Sequence, residues 1–82
     1  MNEADIRAVL LEELGNLAPE ADLAAIGPDA DLRDALDIDS MDFLNLMIAF
    51  DRRLGVAIPE ADYGRLRTLR TALDYLAAKA AP

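Results

Sequence analysis

Apolar residues recur along this chain at the spacing of a helix surface, and no segment alternates with the period of two that a strand requires. Ile6, Val9, Leu10 and Leu14 fall at i, i+3, i+4 and i+8 and mark one face of a first helix over residues 3–14. Glu3 and Asp5 sit in its first turn, where the helix dipole favours anions. Gly15 and Asn16, with Pro19 behind them, signal its end. A long polar connection follows over residues 16–39. Leu23, Ile26, Leu32 and Leu36 punctuate it and should pin it over the core, with a turn of helix over residues 31–35. A loop of that length without structure of its own is uncommon and usually functional or partly helical.

A second helix is expected over residues 40–54, ended by Gly55. Asp39 can cap it by accepting an unpaired N–H of the first turn. Phe43, Leu44, Leu46, Met47, Ile48 and Phe50 make it apolar around most of its circumference, and Asp42, Asn45, Ala49, Arg52 and Arg53 form a polar stripe. A helix so apolar is expected at the centre, touched on several sides. Val56-Ala57-Ile58-Pro59 reads as an extended link. A short helical turn over residues 60–63 should stop at Gly64. A last helix over residues 68–78, capped by Thr68, presents Leu69, Ala72, Leu73 and Leu76 with Tyr75 beside them. The predicted fold is all-α, a small irregular four-helix bundle with a long first loop and a short third helix. It forms one domain over residues 1–82.

Composition narrows the chemistry. Sixteen acidic residues against eight basic ones give a net charge of −8, and Cys, His and Trp are absent. Without Cys there is no disulfide, thiolate metal site or thiol nucleophile. Without His the usual general base and the commonest metal ligand are missing. The charge has the wrong sign for nucleic acid. The longest apolar run, Leu46 to Phe50, falls far short of the roughly 20 residues of a membrane span. The acidic N-terminus is unlike the basic start of a signal peptide. A cytoplasmic monomer with basic partners, and no catalysis of its own, is the expectation.

The densest signal is Leu36-Asp37-Ile38-Asp39-Ser40-Met41-Asp42-Phe43-Leu44-Asn45-Leu46. A calcium loop is rejected. Counted from Asp37, Met41 stands at the fifth place and Asp42 where the tight turn needs Gly; from Asp29, Arg33 stands at the fifth place. No Glu stands at the twelfth place from either start. No metal site is expected. A self-contained serine nucleophile is rejected because only Lys79 and carboxylates could serve as its base. From local spacing alone, Ser40 reads as a helper in capping the helix. Asp29, Asp31, Asp34, Asp37, Asp39 and Asp42 crowd near the helix entry and should repel one another.

The wider order of motifs resembles the acyl carrier protein family. It runs from an N-terminal amphipathic helix and a long loop to Asp39-Ser40-Met41 before an apolar helix. Ile58-Pro59, Thr68-Leu69 and Leu73-Asp74-Tyr75-Leu76 follow. The resemblance covers nearly the whole chain. It implies that Ser40, between Asp39 and Met41, receives a 4′-phosphopantetheine arm from coenzyme A through a separate phosphopantetheinyl transferase using magnesium. The arm would supply the thiol the chain lacks. The protein would then carry acyl groups as thioesters, as a cosubstrate and not an enzyme. Its partners would be acyl-transfer or acyl-chain-modifying enzymes with basic docking patches, in fatty acid, lipid or natural-product synthesis.

The resemblance also implies a partner face of Asp39, Met41, Leu44, Asn45, Ile48, Asp51 and Arg52. Phe43, Met47, Phe50 and Leu54 share one face of the second helix and should meet Ile58, Leu66, Leu69 and Leu73; the resemblance makes this region an acyl pocket. Three positions depart from the family pattern. Asp37 stands where Gly is usual, two residues before Asp39. Asn45, Arg52 and Arg53 weaken or reverse charge on a helix that is usually acidic. Phe43 is bulkier than the residue many members carry. An aminoacyl, peptidyl or D-alanyl carrier is the nearest alternative. A small acidic helical interaction domain without a prosthetic group is the alternative of another class.

Overall fold

The computed structural model describes residues 2–80, and helices are the only regular structure among them. Met1, Ala81 and Pro82, the ends of the expected domain, lie outside the described residues. In chain order the elements are α1 (Glu3–Leu17), a 3₁₀ turn (Leu23–Ala25), α2 (Leu32–Leu36), α3 (Ser40–Leu54), a 3₁₀ helix (Glu60–Leu66) and α4 (Leu69–Ala80). This is the all-α bundle that the periodicity predicts, with one 3₁₀ turn more.

Asn2 starts α1 by accepting the Asp5 N–H at 2.9 Å. The predicted face of Ile6, Val9, Leu10 and Leu14 is buried. The helix does not stop at Gly15 but runs on to Leu17. A helical glycine costs only about 1 kcal/mol, and Leu17 and Ala18 pack against the core. The true stop is Pro19, which keeps the preceding residue out of the helical region; Ala18 has φ −133° and ψ 72°.

The α3 boundaries agree with the sequence reading. The helix packs against α1, which also packs against α4, and its Phe43 ring meets Tyr63 of the segment over residues 60–66. The α3 helix buries Phe43, Leu46, Met47 and Phe50 and leaves Met41 and Ile48 in solvent, 63% and 44% exposed. Gly55 closes it in the left-handed region at φ 66°, its N–H donating to the Asp51 carbonyl at 2.8 Å.

Beyond Pro59 the 3₁₀ helix passes through Gly64 to Leu66, because Leu66 is drawn fully into the core. Thr68 caps α4 by accepting the Thr71 N–H at 3.1 Å. The 3₁₀ helix rests on α4. Tyr75 of α4 donates its hydroxyl to Asp62 at 2.6 Å, which pushes the Tyr75 pKa up.

The long loop is pinned as expected, with Leu32 and Leu36 buried and Leu23 and Ile26 half-buried. It is also bonded to the segment before and at the start of α4. The Leu32 N–H donates to the Arg67 carbonyl at 2.7 Å, and the Arg70 N–H to the Pro28 carbonyl at 2.9 Å. The Arg67 guanidinium bonds Asp31, and Arg70 bonds Asp29 at 2.7 and 3.2 Å. Neither alternating spacing nor composition signals this clamp, which joins residues far apart in the chain.

Candidate functional site

Ser40 is the first residue of α3, and its side chain is exposed. Capping falls to its neighbours. The Asp42 N–H donates to Asp39 at 2.9 Å, and the Asp39 N–H donates to Asp42 at 3.3 Å, a reciprocal capping box. The reading of Ser40 as a capping helper is therefore corrected: its hydroxyl takes part in no hydrogen bond among the described residues. The threonine hydroxyls of Thr68 and Thr71, by contrast, are bonded to each other at 2.8 Å. Ser40 is also the sole serine of the chain.

The chain enters this turn through Asp37, which closes α2 in the left-handed region at φ 53° and ψ 49°. That conformation suits glycine and is tolerated by Asp better than by most residues. The departure at Asp37 thus leaves a glycine-like backbone path in place.

Ser40 opens on a cleft of about 330 Å³ between α3 and the 3₁₀ helix. Met41, Phe43 and Leu44 line it from α3, Glu60, Tyr63 and Gly64 from the 3₁₀ helix, Arg67 from just beyond that helix, and Arg33 from α2. The Phe43 and Tyr63 rings meet edge to face, centroids 6.2 Å apart and planes at 75°, so they bridge the two walls. Sequence reasoning missed Arg33, Tyr63 and Arg67. The Ile58-Pro59 signal located the wall, but ending it at Gly64 left Arg67 out, and nothing local marks Arg33.

The eight residues expected around an acyl chain all join one apolar core. Phe43, Met47, Phe50 and Leu66 are buried within it, and Leu54, Ile58, Leu69 and Leu73 are half-buried against it. Of the eight, Phe43 alone lines the Ser40 cleft. Leu69 and Leu73 instead line grooves that they share with Arg7 of α1.

On the outer side of α3, Asp39, Met41, Asn45, Ile48, Asp51 and Arg52 are exposed and Leu44 is half-buried. The two arginines at the end of this helix differ in their surroundings. Arg53 reaches Glu13 at 3.1 Å and Glu12 at 3.5 Å on α1. Arg52 has no ion pair among the described residues.

Four of the six crowded acids have partners: Asp39 and Asp42 through the capping box, Asp29 and Asp31 through arginines. The hydrogen bond from Arg70 holds the Asp29 carboxyl below its ordinary value. Burial would raise the Asp31 carboxyl. The Arg67 hydrogen bond and the N–H groups of Arg33 and Asp34 together outweigh it and bring the value below the ordinary one.

Residues 4–76 match the family model described as a phosphopantetheine attachment site. The chain belongs to the acyl carrier protein family. It is 30% identical over 66 residues to an acyl carrier protein of Myxococcus xanthus, covering 80% of this chain and 84% of that one. An acyl carrier protein of Micrococcus luteus is also 30% identical over 66 residues, covering 80% and 82% of the two chains. The solved acyl carrier protein from Enterococcus faecalis superimposes with a TM-score of 0.75 over 96% of this chain and 99% of that one. At 17% identity that likeness concerns the fold.

Acyl carrier proteins are carriers and not enzymes, and their cofactor is a covalent 4′-phosphopantetheine. The expected cofactor is therefore supported, and the reading as an interaction domain without a prosthetic group is set aside. Family members meet a phosphopantetheinyl transferase and acyl-handling enzymes. Among the described residues no helix is long and apolar enough to cross a membrane.

Proposed function

We propose that Ser40 is the residue that carries the phosphopantetheine arm, and that this single domain presents acyl thioesters to partner enzymes. One observation carries the reading. The sole serine offers an exposed, unengaged hydroxyl in the first turn of α3, beside a cleft. A modifying enzyme needs an accessible hydroxyl, and the neighbouring capping box fixes the turn that presents it. A phosphodiester at that place is favoured by the positive end of the helix dipole. The arm supplies a thiol for thioester chemistry; the chain holds it, orients its root and displays it.

The outer side of α3 suits the docking of acyl-handling enzymes. Met41 and Ile48 are exposed apolar anchors among Asp39 and Asp51, a pattern that fits a partner with a basic rim around an apolar centre. Arg52 is the cation left on this side, while Arg53 is spent on α1. Arg52 therefore favours a partner with an acid opposite it and penalises a uniformly basic one.

Phe43 favours cargo that stays short. Its ring is buried in the core, lines the Ser40 cleft and meets Tyr63 edge to face, so a chain entering the core beside it would have to displace it. The acyl carrier protein relatives support acyl cargo over aminoacyl groups and a role in lipid or natural-product synthesis. The test is transfer of a fluorescent arm from a coenzyme A analogue by a transferase, followed by peptide mapping. Label on the peptide that contains Ser40 supports the reading, and label elsewhere overturns it.

A further inference from the structure

We infer that Arg33 is an anion-binding residue for the arm itself, pairing with the phosphodiester at Ser40 and drawing the root of the arm into the cleft. This rests on Ser40 as the attachment residue. The chain carries a net charge of −8, and the attachment turn is flanked by Asp39 and Asp42. A phosphodiester added there brings a further anion into an acidic neighbourhood, where a counter-cation has most effect. Arg33 and Arg67 are the cations that line the cleft with Ser40.

The two are not equivalent. Arg67 is committed to Asp31, and its Nε is enclosed without an acceptor. Arg33 has no carboxylate partner among the described residues, although acids outnumber bases two to one. Its guanidinium is therefore available, and guanidinium binds phosphate through paired, charge-assisted hydrogen bonds.

The backbone of Arg33 is fixed at both ends. Its N–H donates to Asp31 at 2.9 Å, and its carbonyl accepts from Ile38 at 3.0 Å. Asp31 thus holds Arg67 with one carboxylate oxygen and the Arg33 backbone with the other. The side chain of Arg33 starts from a fixed backbone position, so the ordering cost of meeting an anion is confined to the side chain itself. The Phe43 and Tyr63 rings meet across the same cleft, so the walls shared by Ser40 and Arg33 are tied to each other.

The experiment compares apo and holo protein by nuclear magnetic resonance, after intact mass has shown that the arm is attached. Loading should shift the Arg33 Nε–H resonance several-fold more than that of Arg52, which is also unpaired but lies on the outer side of α3. In the holo protein the phosphorus resonance should move on Arg33→Gln, move less on Arg33→Lys, and stay in place on Arg52→Gln. A phosphorus resonance indifferent to Arg33→Gln, in a protein whose mass shows the arm, overturns the inference and leaves the attachment reading intact. An Arg33 shift that appears only with a carboxylate-ended cargo assigns the anion to the cargo and also overturns it. A protein that accepts no arm at Ser40 overturns both.

Discussion

The guanidinium of Arg67 bonds the carboxylate of Asp31 across 36 positions of sequence, tying the end of the 3₁₀ helix to the start of α2. The same carboxylate caps α2 through the N–H groups of Arg33 and Asp34. One acid therefore holds the long loop, a short helix and one wall of the Ser40 cleft in register.

Acid should loosen this arrangement. The Asp29 and Asp31 carboxyls both lie below their ordinary value in the fold. A lowered group contributes stability that is complete above its unfolded pKa, near 4, and is lost as pH falls through its folded value. Urea unfolding as a function of pH should show stability declining as pH drops below about 4. Asp31→Asn should be less stable at neutral pH and decline less steeply. An unchanged acid decline in Asp31→Asn would assign the effect to other groups.

Asp37 gives a prediction of the opposite sign. It holds a left-handed conformation at φ 53° with a side chain. Such a residue costs on the order of 1 kcal/mol or more, against which glycine loses about 0.4–1 kcal/mol of backbone entropy. Asp37→Gly should raise stability by about 0.5 kcal/mol, a gain of a few degrees in a domain of this size. A lower melting temperature would mean that the Asp37 side chain contributes more than its backbone strain costs.

These features show what the sequence could and could not reveal. The buried face of α1 was legible because Ile6, Val9, Leu10 and Leu14 obey a local period. The bounds of α3 were legible because Asp39 and Gly55 act on their own turns. Gly15 and Gly64 misled as stops, because the packing of Leu17 and Leu66 outweighs a glycine's weak preference. Ser40 was legible through its motif. The far wall of its cleft was not, since Tyr63 and Arg67 are distant in sequence and reach it through tertiary contacts, the ring pair with Phe43 and the bond from Arg67 to Asp31.

Phe43 should limit cargo. It is 5% exposed, so Phe43→Ala should cost about 3–5 kcal/mol. A long acyl chain should refill part of the space left behind. Melting of parent and variant, each in holo and long-chain acyl forms, reads this directly. The acyl-induced rise should be larger in the variant; a rise no larger than in the parent would return Phe43 to ordinary core packing.

Arg52 should govern partner choice without affecting the fold. Arg52→Glu should strengthen binding to a generic fatty-acid-synthesis enzyme and weaken binding to the cognate one, with the melting temperature nearly unchanged. Surface plasmon resonance against both enzymes checks it. Equal changes on the two would leave Arg52 as a surface charge only.

The central claim is that Ser40 carries the arm, and the intact mass after co-expression with a broad-specificity phosphopantetheinyl transferase tests it most directly. The parent chain should gain the mass of one phosphopantetheinyl group. Ser40→Ala should gain nothing while keeping the same far-ultraviolet circular dichroism. A parent chain that stays unmodified with several transferases, or a Ser40→Ala chain that still gains the group, would contradict it.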